Sequence, residues 1–138
     1  SSSVHFMRGD VSCIPLSDES ADVVTIGFGI RNVSDSRLVC TEIRRVLRSG
    51  GRLAILEFSM PSTAVLRGLY RWYFTHFLPL LGRLVSRHSE AYSYLPASVQ
   101  SFLTPAALSA LLVESGFTNV RTIPLTCGVV YLHLATRA

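Results

Sequence analysis

Apolar and polar positions alternate in blocks whose period changes along the chain, and those blocks predict strands and helices in turn. Val4-His5-Phe6-Met7 reads as a short strand closed by Arg8-Gly9-Asp10. The stretch from Ser12 to Ala21 is turn-rich, with Pro15 and the cluster Ser17-Asp18-Glu19-Ser20. Asp22 to Phe28 is β-branched and almost continuously apolar, the pattern of a central parallel strand covered on both faces. From Ser34 the period becomes helical: Leu38, Ile43, Val46 and Leu47 form one apolar face, Ser34 or Asp35 caps the start, and Gly50-Gly51 ends the helix. Glu42 and Arg45 pair at i,i+3, while Arg44, Arg45 and Arg48 complement the negative end of the helix dipole.

Arg52 to Phe58 is a second buried strand, so strand, helix and strand make a unit of the right length for a right-handed parallel crossover, and the fold class is α/β. Val65 to Arg87 is apolar and aromatic with Arg67, Arg71, Arg83 and Arg87 interspersed, which predicts one or two amphipathic helices broken near Pro79 and Gly82. Pro105 to Ser115 is a helix with Thr104 as N-cap and Gly116 at its end. Val120 to Leu125 and Val129 to Ala135 are strands separated by too few residues for anything but an antiparallel hairpin.

With 138 residues, 49% of them hydrophobic and 16% charged, the chain has the composition of a globular domain rather than a disordered tail. It contains no run of about 18 uncharged apolar residues, which argues against a spanning helix. The net charge of +4 comes entirely from arginine on the basic side and is too dispersed for a nucleic-acid surface, though compatible with an anionic membrane surface. Cys13, Cys40 and Cys127 are widely spaced and odd in number, so neither a disulfide framework nor a metal site is expected, and a reducing compartment fits. No signal-peptide pattern is visible at Ser1 to His5.

In an open parallel sheet, ligands bind beyond the carboxyl ends of the strands. Those ends are Asp10, Gly27 to Asn32, and Glu57 to Ser59. Gly27-Phe28-Gly29 lets backbone approach a ligand and then presents Arg31, a permanent cation, beside Asn32, an amide that both donates and accepts. It is not the G-x-G-x-x-G that opens a dinucleotide site.

The stretch GDVSCIPLSDESADVVTIGFGIRNVSD, then EIRRVL, SGGRLAILEFS, AYSYLPASV, ESGF and LTCGVVYLH, resembles the UbiE/Coq5/MenG family of ubiquinone and menaquinone biosynthesis C-methyltransferases over nearly the whole chain. The resemblance implies a class I methyltransferase-like Rossmann sheet using S-adenosylmethionine, and a polyprenyl quinol, benzoquinol or naphthoquinol, as substrate. It implies adenine contacts at Asp10 and Val11, and a cofactor contact at Gly27, where the family often has serine and only backbone serves here. Arg31 and Asn32 match the family's residues near the acceptor carbon. Arginine is a poor base, so Arg31 is expected to stabilise the developing phenolate or orient a water, and Asn32 to hold substrate or water in register. Tyr92 and Tyr94 are expected to line the quinone-ring pocket, with ordinary core or lid packing as the alternative. Glu57 either serves the rim or pairs with an arginine, and His133 is expected to be a satisfied strand histidine.

Two features of the resemblance concern the chain's extent. Val4 to Met7 resembles the family's third strand, so the strand with the Gly-rich cofactor loop and the one after it are absent. The loop from Gly9 to Ala21 must then cross a gap of roughly 14 Å at about 4.8 Å per strand. The expectation is the C-terminal portion of a methyltransferase domain over 1–138, incomplete at the N-terminus, with a helical insertion at about 62–103. An open sheet edge invites a complementing segment, a homodimer or a quinone-biosynthesis complex. Such a truncated chain would alternatively be a non-catalytic quinone-binding or complex-stabilising protein. The aromatic insertion and the prenylated substrate class imply a peripheral position on the cytoplasmic face of a bacterial membrane, or the matrix side of an organelle.

Overall fold

The structure is a computed structural model that describes residues 3–60, 63–77 and 103–138. Its elements in order are β1 (Ala21–Gly27), a 3-10 turn (Ile30–Asn32), α1 (Ser36–Val46), β2 (Leu47–Phe58), α2 (Ala64–Trp72) continued by a wider π turn (Tyr73–Phe77), α3 (Pro105–Glu114), β3 (Phe117–Leu125) and β4 (Val130–Arg137). The four strands form one sheet in the order β1-β2-β4-β3. β1 and β2 are parallel, with Val24 opposite Leu53 and Ile26 opposite Ile55. β4 runs antiparallel to β3, as the short connection at residues 126–128 demands, and antiparallel to β2 as well.

Local signals account for most boundaries. Asp35 caps α1, its Oδ1 accepting from the amides of Arg37 at 2.9 Å and Leu38 at 3.0 Å. Thr104 caps α3 through the Ala107 amide at 3.2 Å, with Pro105 in the first helical position, and Gly116 leaves the helix at φ +87°. Val39, Cys40 and Ile43 of α1 and Leu108 and Leu112 of α3 bury one core with Leu53 and Ile55 of β2, Phe117 and Ala135. Burial of the Cys40 thiol pushes its pKa up to about 11.

Three expectations are corrected. Residues 4–7 form no strand; Phe6 is 97% exposed, and among the described residues no strand lies beside it to receive its amides and side chains. β1 is an edge rather than a central strand among the described residues: it pairs on one side only, and Val23 stands half exposed. Finally, Gly50-Gly51 does not end the helix. α1 stops at Val46, Leu47 is already extended at ψ 139°, and the glycines sit in β2 where the register jumps between Ala21/Leu47 and Val23/Arg52. Gly50 supplies the positive φ of +73° that this irregularity requires.

Arginines fasten the loop before β1 to the body of the sheet. Arg45 reaches Glu42 at 2.9 Å, the i,i+3 pair expected, and also Asp18 at 2.6 Å and the carbonyls of Leu16 and Ile14 at 2.9 Å. The Ile14 amide in turn donates to Glu42 at 2.9 Å. Arg48 holds Asp22 at 2.5 Å, and Arg137 holds Glu19 at 2.7 Å and donates to the Leu47 carbonyl.

Candidate functional site

The carboxyl ends of the parallel strands β1 and β2 come together at one rim. β1 ends at Gly27, where an added Cβ would meet nothing within 4 Å, so the backbone there borders open space. The next residue, Phe28, adopts φ 56°, a conformation that a bulky residue keeps only when its surroundings enforce it. Two contacts do so: its amide donates to the Leu56 carbonyl at 2.8 Å, and its ring lies 4.6 Å from that of Phe58. The turn redirects the Phe28 carbonyl toward Arg31, whose Nη1 donates to it at 2.9 Å.

Arg31 follows on the 3-10 turn, and β2 supplies its counterion. Alternation along β2 points Leu53, Ile55, Glu57 and Ser59 toward the core side, so the acid inherits a buried register from its apolar neighbours. Arg31 Nη1 and Glu57 Oε1 lie 2.5 Å apart, with side chains only 8% and 2% exposed. The Phe58 amide donates to the same Oε1 at 2.9 Å, and the Arg31 amide approaches Oε2 at 3.4 Å. The Phe58 ring lies beneath the guanidinium, 5.6 Å from its carbon to the ring centre. Tyr70 of α2 is buried beside this cluster; desolvation raises its phenol pKa, an effect the positive charge of Arg31 opposes. The arrangement is a buried charged pair walled by aromatic rings at the carboxyl ends of the two parallel strands, a preorganised cation of the kind that can face a developing negative charge.

Two other predicted positions, Asn32 and Asp10, each close a local turn. Asn32 is exposed and closes the turn through its amide to the Gly29 carbonyl at 3.0 Å. Asp10 caps a local turn: its Oδ1 accepts from the Ser12 amide at 2.8 Å, and its carbonyl from the Cys13 amide at 3.0 Å. Val11, half-buried, packs against the hydrophobic core. Tyr92 and Tyr94, with His88, Pro79 and Gly82, lie outside the described residues.

His133 is 2% exposed on β4, opposite Ile55, and its Nδ1 lies 3.0 Å from Thr122 Oγ1. Burial lowers its pKa, favouring the neutral ring. It therefore meets the expectation of a satisfied strand histidine. With Glu57, Phe58, Ser59, Leu108 and Tyr131 it also lines a small cavity. Phe28 and Phe58 fall within the strand ends that the sequence marks, but nothing there singles out their rings, and nothing singles out Tyr70. The usable signal was the acid at position 57, out of keeping with an inward register otherwise apolar.

The model of the ubiE/COQ5 methyltransferase family matches residues 1–137. A demethylmenaquinone methyltransferase of Thermus thermophilus is 43% identical over 134 residues, covering 97% of this chain and 60% of the relative. A ubiquinone/menaquinone biosynthesis C-methyltransferase, UbiE, of Syntrophotalea carbinolica is 41% identical over 135 residues, covering 98% of this chain and 56% of the relative. The chain thus spans little more than half the length of these relatives. Among solved structures, a SAM-dependent methyltransferase of Thermotoga maritima superposes with a TM-score of 0.65 at 17% identity, over 98% of this chain and 65% of that one. The CurJ carbon methyltransferase superposes with a TM-score of 0.62 at 19% identity, over 94% of this chain and 34% of that one. These likenesses give the fold, a Rossmann-like methyltransferase sheet with its antiparallel hairpin.

Proposed function

Because the chain belongs to the ubiE/COQ5 methyltransferase family, we propose that it is the C-terminal, acceptor-side portion of an S-adenosylmethionine-dependent C-methyltransferase, with a helical insertion at about 62–103. Its substrate is a polyprenylated quinol, a naphthoquinol of the demethylmenaquinol kind or the corresponding benzoquinol. The observation that carries this reading is the buried Arg31–Glu57 pair at the strand ends, in a chain whose relatives bear the names of quinone-ring methyltransferases.

The cofactor, when bound, supplies an electrophilic methyl group. Of the described residues, Asp10 and Val11 would face its adenine, and Gly27 would admit it closely along backbone; the open space beside Gly27 fits that role. Ring attack needs electron density at the acceptor carbon, and density rises as the neighbouring phenol loses its proton. The Arg31 guanidinium, permanently charged, stabilises the phenolate or orients the water that takes the proton. Asn32 holds substrate or water in register. Alignment of the acceptor carbon with the methyl carries much of the remaining rate.

The α2 segment supports docking at a membrane surface, on the cytoplasmic face of a bacterial membrane or the matrix side of an organelle. Val65, Leu69, Trp72 and Phe77 recur at helical spacing and are exposed, Val65 at 82%. The one-sided edge of β1 supports pairing with a further segment, a second copy or a partner in a quinone-biosynthesis complex.

The test is calorimetric titration with S-adenosylmethionine, followed by transfer of labelled methyl to demethylmenaquinol in detergent. In a full-length version carrying the cofactor loop, heat and label in the quinol are expected. A folded sample that binds no cofactor but retains quinol would instead favour a non-catalytic, quinone-binding role. Sedimentation with anionic liposomes and a change in Trp72 fluorescence test the membrane surface.

A further inference from the structure

We infer that Glu57 is a positioning residue for methyl transfer, fixing the Arg31 guanidinium in the one orientation in which it meets the substrate oxygen. This rests on the reading of Arg31 given above. A buried ion pair is a poor device for stability alone, because desolvating both charges consumes the attraction between them, and apolar side chains of equal volume do as well. Leu53 and Ile55, inward on the same strand, show that β2 uses apolar residues where only packing is needed. At position 57, the strand end that borders the rim, it carries an acid instead.

The acid's contacts are those of a clamp. Oε1 takes the guanidinium at 2.5 Å and the Phe58 amide at 2.9 Å, so the carboxylate is itself oriented by backbone. Oε2 faces the Arg31 amide at 3.4 Å, so one carboxylate addresses both ends of the arginine. The Phe28 carbonyl takes Nη1 at 2.9 Å from a second direction, and the Phe58 ring supports the guanidinium plane from below. An arginine left to itself samples many rotamers; held in this way it is preorganised before any charge develops on the substrate.

Three measurements test this. In nitrogen-15 spectra of the chain, Arg31 should show slow guanidinium rotation with separate Nη signals, and Glu57→Gln should merge them. Separate signals in the variant would overturn the proposal. In turnover of a full-length version carrying the cofactor loop, Glu57→Gln should lower kcat by about a hundredfold and leave the KM for S-adenosylmethionine unchanged, the signature of a misplaced rather than missing group. Unaltered kcat would overturn it. Added guanidinium should restore activity to Arg31→Ala while Glu57 is present, and fail in the Arg31→Ala, Glu57→Gln double variant; rescue indifferent to Glu57 would count against a clamp. Should Glu57→Gln fail to fold, Glu57→Asp, which keeps the charge one methylene further back, should give the same merging of signals and loss of kcat. Absence of turnover in the unmodified chain would bear on the methyl-transfer reading, while the spectra would still decide whether Glu57 holds Arg31.

Discussion

The carbonyl of Phe28 lies 2.9 Å from Arg31 Nη1, and it is there because Phe28 turns through the left-handed region at φ 56°. A β-branched side chain tolerates that region worst. Phe28→Val should therefore lose both the favourable ring contact with Phe58 and the tolerable backbone, at about 1–2 kcal/mol, read from urea unfolding. Equal stability would mean that the turn relaxes without its phenyl ring.

The cap of α1 offers a simpler test of local energetics. Asp35→Ala removes the acceptor for the Arg37 and Leu38 amides and should cost about 1 kcal/mol. Asp35→Asn should recover most of it, since the amide oxygen accepts as well. Thermal unfolding of the three proteins distinguishes this from a loss of charge.

His133 gives stability a pH dependence of definite sign. Burial lowers its folded pKa below the ordinary 6.5, so the unfolded chain binds a proton that the folded one refuses. This contribution is complete above 6.5 and declines as pH falls from there to the lower folded value. In His133→Gln that part of the slope should vanish, which unfolding midpoints taken at stepped pH would reveal; parallel curves for both proteins would refute it.

Cysteine reactivity should divide two to one. Cys13 and Cys127 are exposed, whereas Cys40 is buried with its pKa pushed up to about 11. At pH 8 a thiol reagent should label the first two quickly and Cys40 only on unfolding. Mass spectrometry of the labelled peptides checks the assignment.

Arg45 should matter to the loop more than to the helix that carries it. Arg45→Lys keeps the charge but cannot reach Glu42, Asp18 and two carbonyls at once. Hydrogen exchange at the Ile14 and Glu19 amides should accelerate while that of α1 stays near the parent rate.

What the sequence reveals here follows the range of the interactions. Asp35 and Thr104 are legible as caps because a cap is decided within four residues, and the closing hairpin because residues 126–128 allow nothing else. Val4 to Met7 has strand-like residues, yet a strand exists only beside another, and among the described residues none is adjacent. Gly50-Gly51 resembles a helix stop, but Leu47 is claimed by pairing with Ala21 before the glycines are reached. At the rim, Arg31 is conspicuous in sequence while its partner lies 26 residues away, and only the register of β2 brings Glu57 inward.

The bond from Arg137 to Glu19 joins residues 118 positions apart. The loop ahead of β1 is thus held in part by β4, and so long a span must close before the contact rewards it. The Glu19 end of that loop should therefore gain its last anchor only when β4 docks, after the nearer contacts from Arg45 and Arg48 are in place.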